Sequence, residues 1–158
     1  MEGALAERFG LIEAEFAALA ERPLSARKTL LVATLLDDFA DRAFEAWHAG
    51  APELLLGAAD SLAFRRALRA ACPAMGDIFD LCGLGPDAPR LVTHAVEVPL
   101  KDYGTLDVAD FMVSLYNGHT VQRVLLGWPD GRERVAREVI ERAMTWWRER
   151  GAARPAMA

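Results

Sequence analysis

The stretch of sequence that decides the fold is ARKTLLVATLLDDFADRAFEAWH, residues 26–48. Its apolar residues cover more than half of a helical wheel turned at about 100° per residue, and such a helix packs against neighbours on several sides. Ser25 is placed to cap the start of this helix, and Gly50 stands where a helix commonly ends. We therefore predict that residues 26–48 form the central helix of the domain.

Further helices are predicted on both sides of this centre. Near the start of the chain an amphipathic helix is indicated by apolar residues spaced four, three, four and three apart: Leu5, Phe9, Ile12, Phe16 and Leu19. The last helix is predicted from about Arg132 to Arg150, after a turn at residues 129–131. Three short helices are expected between them, starting near residues 52, 61 and 73.

Residues 92–126 fit two different predictions. Alternating apolar residues and Pro99 indicate an edge strand over residues 92–98. Over residues 105–117 a helix is favoured, because its polar and apolar residues separate onto two faces. One face of this helix holds Val108, Phe111, Met112 and Leu115, and the other holds Asp107, Asp110, Ser114 and Asn117. A strand is the alternative, because Asn117-Gly118 is a strong hairpin signal.

The predicted fold is mainly α, a single-domain helical bundle of five to seven helices. It includes a small two-stranded β element if residues 92–98 pair with 121–126. The alternative is an α+β fold with a three-stranded antiparallel meander in 92–127. The domain is expected to span residues 1–151 with an internal hinge loop at 83–90, followed by a disordered tail at 152–158.

Composition favours a cytoplasmic protein that binds neither membranes nor nucleic acids. No apolar stretch approaches the ~20 residues of a membrane span, and the acidic start differs from a signal peptide. The net charge of −5 disfavours nucleic acid as a partner. Cys72 and Cys82 form no Cys-x-x-Cys motif and are expected to be free thiols. The arginine- and alanine-rich composition is typical of a GC-rich bacterial genome.

A metal site is one functional hypothesis. Asp37, Asp41, Glu45 and His48 recur at spacings of four, four and three, which places them on one strip of the central helix. Asp41, Glu45 and His48 are the candidate ligands for a divalent metal, since Glu-x-x-His occurs in metal-binding bundles. The competing interpretation is a polar strip facing water. The other histidines, His94 and His119, show no metal-binding spacing.

A ligand site lined by aromatic residues is a second hypothesis. Its candidate residues cluster in the C-terminal third: Trp128, Trp146, Trp147 and Tyr116. Aromatic side chains at helical spacing usually belong to a core, but they also line small-molecule pockets. Neither cysteine lies in a catalytic motif, and the sequence has no Gly-x-Ser-x-Gly or phosphate-binding loop.

The leading hypothesis is a non-enzymatic protein that acts by self-association or by binding a partner. The apolar residues of the 5–19 helix form a regular seam along one side of it. This seam suits pairing with a second copy, which would give a homo-oligomer, and it suits docking on its own domain equally well. No cofactor is required by the sequence. Arg65, Arg66 and Arg69 are interpreted as solvent-exposed residues of a short helix.

Overall fold

The computed structural model describes residues 2–98, 106–116 and 120–152. Six α-helices lie in these ranges: α1 Glu2–Leu19, α2 Ala26–Gly50, α3 Ser61–Ala71, α4 Pro73–Gly83, α5 Val108–Tyr116 and α6 Ala136–Glu149. Three strands accompany them: β1 Arg90–Glu97, β2 Thr120–Gly127 and β3 Glu133–Val135. A short 3-10 helix occupies Pro52–Leu55. The prediction of a mainly α fold with a small β element is confirmed.

The long helix α2 is the centre of the fold, as its sequence predicts. It packs against α1, α3, α4 and α6. The Ser25 hydroxyl oxygen accepts a hydrogen bond from the Lys28 backbone amide at 3.1 Å, which caps the first turn. Phe39 and Leu36 are among its fully buried side chains, and the Phe39 ring meets the Trp147 ring of α6 edge-on at 4.9 Å.

The sheet has the order β1-β2-β3 and is antiparallel throughout. The predicted pairing of residues 92–98 with 121–126 is present, with Val92 opposite Leu125 and Val96 opposite Val121. The alternative meander within 92–127 is wrong, because its middle segment forms α5. The third strand comes instead from residues 133–135, so the last helix begins at Ala136 rather than at Arg132.

A continuous apolar core joins elements from both sides of the 83–90 loop. Its largest fully buried side chains include Phe9, Phe39 and Phe64 before the loop and Ile140 and Trp147 after it. No helix within the described ranges is long and apolar enough to cross a membrane.

Residues near both ends of the described chain belong to the apolar core. Most of the seam of α1 is buried in the protein's own core, with Phe9 completely covered and Leu5 at 6% exposure. A dimer built on that seam would have to expose the core. Ala152, the first residue of the predicted tail, is 1% exposed, and residues 153–158 lie outside the described ranges.

Candidate functional site

The described side chains of α5 show which of its two faces is exposed. Its apolar face points outward: Val108 is 82% exposed, Met112 47% and Phe111 40%. The Asp110 side chain, on the other face, is only 24% exposed. The favoured helix is thus present at Val108–Tyr116, with its described apolar residues outward.

Polar contacts explain why α5 lies this way round. Both carboxylate oxygens of Asp110 accept hydrogen bonds from the Arg123 guanidinium of β2, each at 3.0 Å. This two-pronged geometry is the strong form of an ion pair. The Asp107 carboxylate accepts the backbone amide of Asp110 at 2.8 Å and so caps the start of the helix. An arginine on the neighbouring strand thus draws the polar face of α5 inward.

Next to these polar residues is an open cavity of about 570 Å³, which we call the α5 cavity. It is lined by Leu19, Ala20, Pro23, Thr29, Leu106, Asp107, Asp110, Arg123, Val124, Val135, Arg137, Glu138 and Glu141. The α1–α2 corner forms one apolar wall, α5 with β2 forms a charged wall, and the first turns of α6 form a second charged wall. A volume of this size suits a small molecule, since such sites typically measure about 300–1,000 Å³.

The charged groups of the cavity are unequal in number. Four carboxylates line it, from Asp107, Asp110, Glu138 and Glu141, against the two guanidinium groups of Arg123 and Arg137. Both guanidinium groups are already engaged. The Arg123 guanidinium binds Asp110. The Arg137 guanidinium lies 5.6 Å from the centre of the Phe16 ring, and its Nε is 4.0 Å from a carboxylate oxygen of Glu141.

The residues of the predicted metal strip are held mainly by arginines. The Arg65 guanidinium of α3 donates to Asp37 Oδ1 at 2.9 Å and to both carboxylate oxygens of Asp41 at 3.0 and 2.9 Å. The Ser61 hydroxyl also donates to Asp41 at 2.7 Å. These hydrogen bonds hold the pKa of Asp41 below its usual range, and the hydrogen bond from Arg65 contributes most to this lowering. Arg65 therefore faces α2, and its expected solvent exposure was wrong.

The other two candidate metal ligands do not join Asp41. The Glu45 carboxylate lies 3.8 Å from Arg42, and the exposed His48 ring stacks on Phe44 at 5.4 Å between ring centres. Among the described residues, no group of three or more His, Cys, Asp or Glu side chains could hold a metal ion. The metal site stays a prediction, and the geometry gives it no support. His94 instead contacts Glu133 at 2.9 Å, and His119 lies outside the described ranges.

The predicted aromatic site is divided among different surroundings. Trp147 is fully buried in the core, where its indole N–H donates to the Met75 sulfur at 3.4 Å. Trp128 lies beneath the guanidinium groups of Arg132 and Arg134, at 5.0 and 5.5 Å from its ring centre. The side chain of Tyr116 lies outside the described part of the chain. Trp146 lines a surface groove.

This second opening, the Trp146 groove, measures about 640 Å³ and lies between the α3–α4 junction and α6. At its edge the Asp77 carboxylate, 15% exposed, binds the Arg134 guanidinium at 2.6 Å. Burial raises the pKa of Asp77 despite this arginine. Cys72 also lines the groove, and burial raises the pKa of its thiol. A thiol of raised pKa is a poor nucleophile, because the thiolate is the reactive form.

The chain matches no protein-family model, and no curated protein or solved structure is detectably similar to it. Function must therefore be argued from the chemistry of its own side chains.

The residues of the α5 cavity were missed from the sequence for a definite reason. Asp107 and Asp110 recur on one side of an amphipathic helix, which normally means the side that faces water. The sequence signal that could have corrected this is Arg123, the single charged residue of β2, whose sequence is TVQRVLLG. A charge inside such a strand needs a partner, and Asp110 supplies one.

Proposed function

We propose that this protein is a non-enzymatic binding protein that takes a small organic molecule in the α5 cavity. The inverted orientation of α5 is the observation that carries the proposal. We further propose that the protein is cytoplasmic, which agrees with Cys72 and Cys82 both being free thiols.

The inversion of α5 has a cost in stability. Burying an apolar side chain of the size of Val108 or Met112 is worth about 1.5–3 kcal/mol relative to full exposure, and α5 forgoes much of this. In exchange, Asp107 and Asp110 line the open cavity, and Asp110 is only 24% exposed. Departures from the usual pattern of apolar residues inside are expected where function requires them. The departure here supports a binding role for the polar wall that it creates.

The lining of the cavity also suits a ligand. Leu19 and Val124 are buried apolar residues that line it, at 3% and 4% exposure, and charged groups stand on two of its sides. Small-molecule sites typically combine such an apolar surface with a few polar groups that set the orientation.

The proposal is tested by blocking the cavity from its rim. Ala20 is exposed and lines the cavity, so Ala20→Trp fills the opening without disturbing the core. Ala17 is also exposed and is not among the cavity's lining residues, so Ala17→Trp is the matched control. A library of small organic molecules is screened by chemical-shift changes in two-dimensional NMR spectra of the full chain.

We expect ligands whose shift changes centre on residues lining the cavity, such as Val124 and Glu138. Ala20→Trp should weaken their binding at least tenfold, whereas Ala17→Trp should leave it unchanged. If ligands bind equally well to both variants, or if no ligand shifts the cavity residues, the proposal is wrong. Native mass spectrometry of freshly purified protein shows in addition whether a molecule is carried through purification.

Self-association is a second candidate function, and the exposed apolar face of α5 favours it. Val108 and Met112 are four residues apart and lie on the same side of the helix. Contiguous exposed apolar residues commonly mark an interaction surface. The seam of α1 is already buried, so we propose that a homo-oligomer would form through this face of α5 instead.

Sedimentation velocity tests this second candidate. If a homodimer forms through α5, Val108→Glu should convert it to a monomer. Leu11 of α1 is similarly exposed, at 65%, so Leu11→Glu is the control and should leave the dimer intact. A wild-type chain that stays monomeric at about 100 µM would overturn the candidate.

A further inference from the structure

The charges of the α5 cavity allow its ligand class to be narrowed, on the assumption that the proposed function is correct. We propose that the molecule bound in the α5 cavity is an amphipathic organic cation, with an amine or guanidinium group and an apolar body. The proposal rests on the carboxylates around this open cavity that lack an ion-pair partner among the described residues, and on the apolar wall opposite them.

The unsatisfied charge of the cavity is negative. Arg123 is paired with Asp110, both of its terminal nitrogens donating to a carboxylate oxygen. The carboxylate of Glu138, by contrast, has no ion-pair partner among the described residues. Among the described residues the lining carries four carboxylates and two guanidinium groups, so a bound cation with a single charge would reduce the negative excess. An anion would add to the excess, and repulsion inside a cleft is stronger than in open water.

Helix dipoles do not reverse this balance. The starts of α2 and α5 are capped by Ser25 and Asp107, so their first amides are already partly satisfied. The start of α6 has no side-chain cap, but Glu138 lies in its first turn and opposes the positive end of that dipole.

An organic cation fits better than a metal ion. No described group of three or more His, Cys, Asp or Glu side chains is arranged to hold a metal. Metal ions need several oxygen ligands at about 2.0–2.6 Å. An amine or guanidinium group needs only hydrogen-bond acceptors at ordinary distances, and its carbon chain can lie along Leu19, Pro23 and Val135.

Three probes of the same shape and different charge provide the test: 4-phenylbutylamine, 4-phenylbutan-1-ol and 4-phenylbutyrate. Binding to the full chain is measured by titration calorimetry and NMR shifts at low and high salt. We expect the amine to bind at least tenfold more tightly than the alcohol, and the acid to bind most weakly. The amine's affinity should fall several-fold between 20 and about 500 mM salt, because salt screens partly exposed charges.

Two variants locate the effect. Glu138→Gln should weaken binding of the amine about threefold to tenfold and leave the alcohol unaffected. Because Glu138 also borders the Trp146 groove, Ala20→Trp must weaken binding of the same amine for the effect to belong to the α5 cavity. Glu149→Gln is the control, because Glu149 lies on the same helix but lines the Trp146 groove and not the α5 cavity. The expected result is a loss for the first variant alone.

Failure of this inference is distinguishable from failure of the proposed function. If the alcohol or the acid binds as tightly as the amine, and Ala20→Trp blocks it, the cavity is a binding site but the cation class is wrong. The class is also wrong if none of the three probes binds while another library molecule does so in the cavity. If no molecule at all is blocked by Ala20→Trp, both proposals are overturned.

Discussion

Leu84 follows the end of α4 with a φ of 53°, in the left-handed region that favours glycine. A left-handed conformation costs a residue with a Cβ atom about 1–2 kcal/mol. The Leu84 side chain is 76% exposed, so its burial offsets little of this conformational cost. Leu84→Gly should therefore raise the free energy of unfolding by about 0.5–1 kcal/mol, measured by urea denaturation. Leu84→Ala keeps the Cβ atom and is the control; equal stability of the two variants would contradict the explanation.

Arg65 offers a test of the polar strip on α2. Its side chain is 25% exposed and neutralises Asp37 and Asp41 together. Arg65→Ala would leave two neighbouring carboxylates without their partner, and we expect a loss of about 2 kcal/mol at pH 7, less than for a fully buried pair. Urea denaturation of both proteins measures the difference.

The loss should depend on pH in a defined direction. Because the folded pKa of Asp41 is lowered, its ionised form adds stability above about pH 4, the unfolded value. That stability disappears as the pH falls through the folded pKa. Wild type should therefore lose more stability than Arg65→Ala between pH 7 and pH 3, so that the two proteins approach each other. A difference that stays constant with pH would mean that packing of Arg65 over the Phe79 ring, at 4.6 Å, accounts for its contribution.

At the scale of elements, we expect that replacing an apolar residue of α5 costs less stability than replacing its half-buried aspartate. Val108 is 82% exposed, so Val108→Gln should change the free energy of unfolding of the monomer by less than about 0.5 kcal/mol. Asp110→Ala should lower it by about 1–3 kcal/mol, because the half-buried Arg123 loses both hydrogen bonds. Urea denaturation of the two variants is the measurement. The opposite order, with Val108→Gln the more damaging, would mean that α5 lies with its apolar face inward.

The same helix shows how far sequence could predict the fold. Helical periodicity was enough to place α5, and the alternation of 92–98 was enough to place β1 at the sheet edge. The side of α5 that faces inward could not be predicted, because it depends on the pairing of Asp110 with Arg123. Neither residue shows by its spacing that the chain will bring them together.

Two further errors have the same origin in tertiary contacts. Residues 133–135 look like the start of a helix, but they pair with β2, with Glu133 opposite Gly127 and Val135 opposite Leu125. Backbone hydrogen bonding to a neighbouring strand thus outweighs local helical preference. Asp37 and Asp41 were expected to face water or a metal because Arg65 could not be placed opposite them from spacing alone.

At the scale of the whole molecule, the question is whether residues before and after the 83–90 loop unfold together. Trp47 of α2 and Trp147 of α6 lie 5.7 Å apart between ring centres, and Trp147 also contacts Phe39. These contacts join the two sides of the loop within one core. Separating the sides would expose large aromatic surfaces, so we expect a single cooperative transition.

Two spectroscopic probes distinguish the alternatives because they report different parts of the chain. Of the four tryptophans, Trp128, Trp146 and Trp147 follow the loop, so fluorescence reports mainly that side. Helices α1 to α4 all precede the loop, so far-ultraviolet circular dichroism reports mainly the other. In urea the two midpoints should coincide, and Trp147→Ala should lower both equally, by about 3–5 kcal/mol in free energy of unfolding. Separate midpoints would instead make the 83–90 loop a hinge between two units, and Trp147→Ala would then shift the fluorescence transition alone.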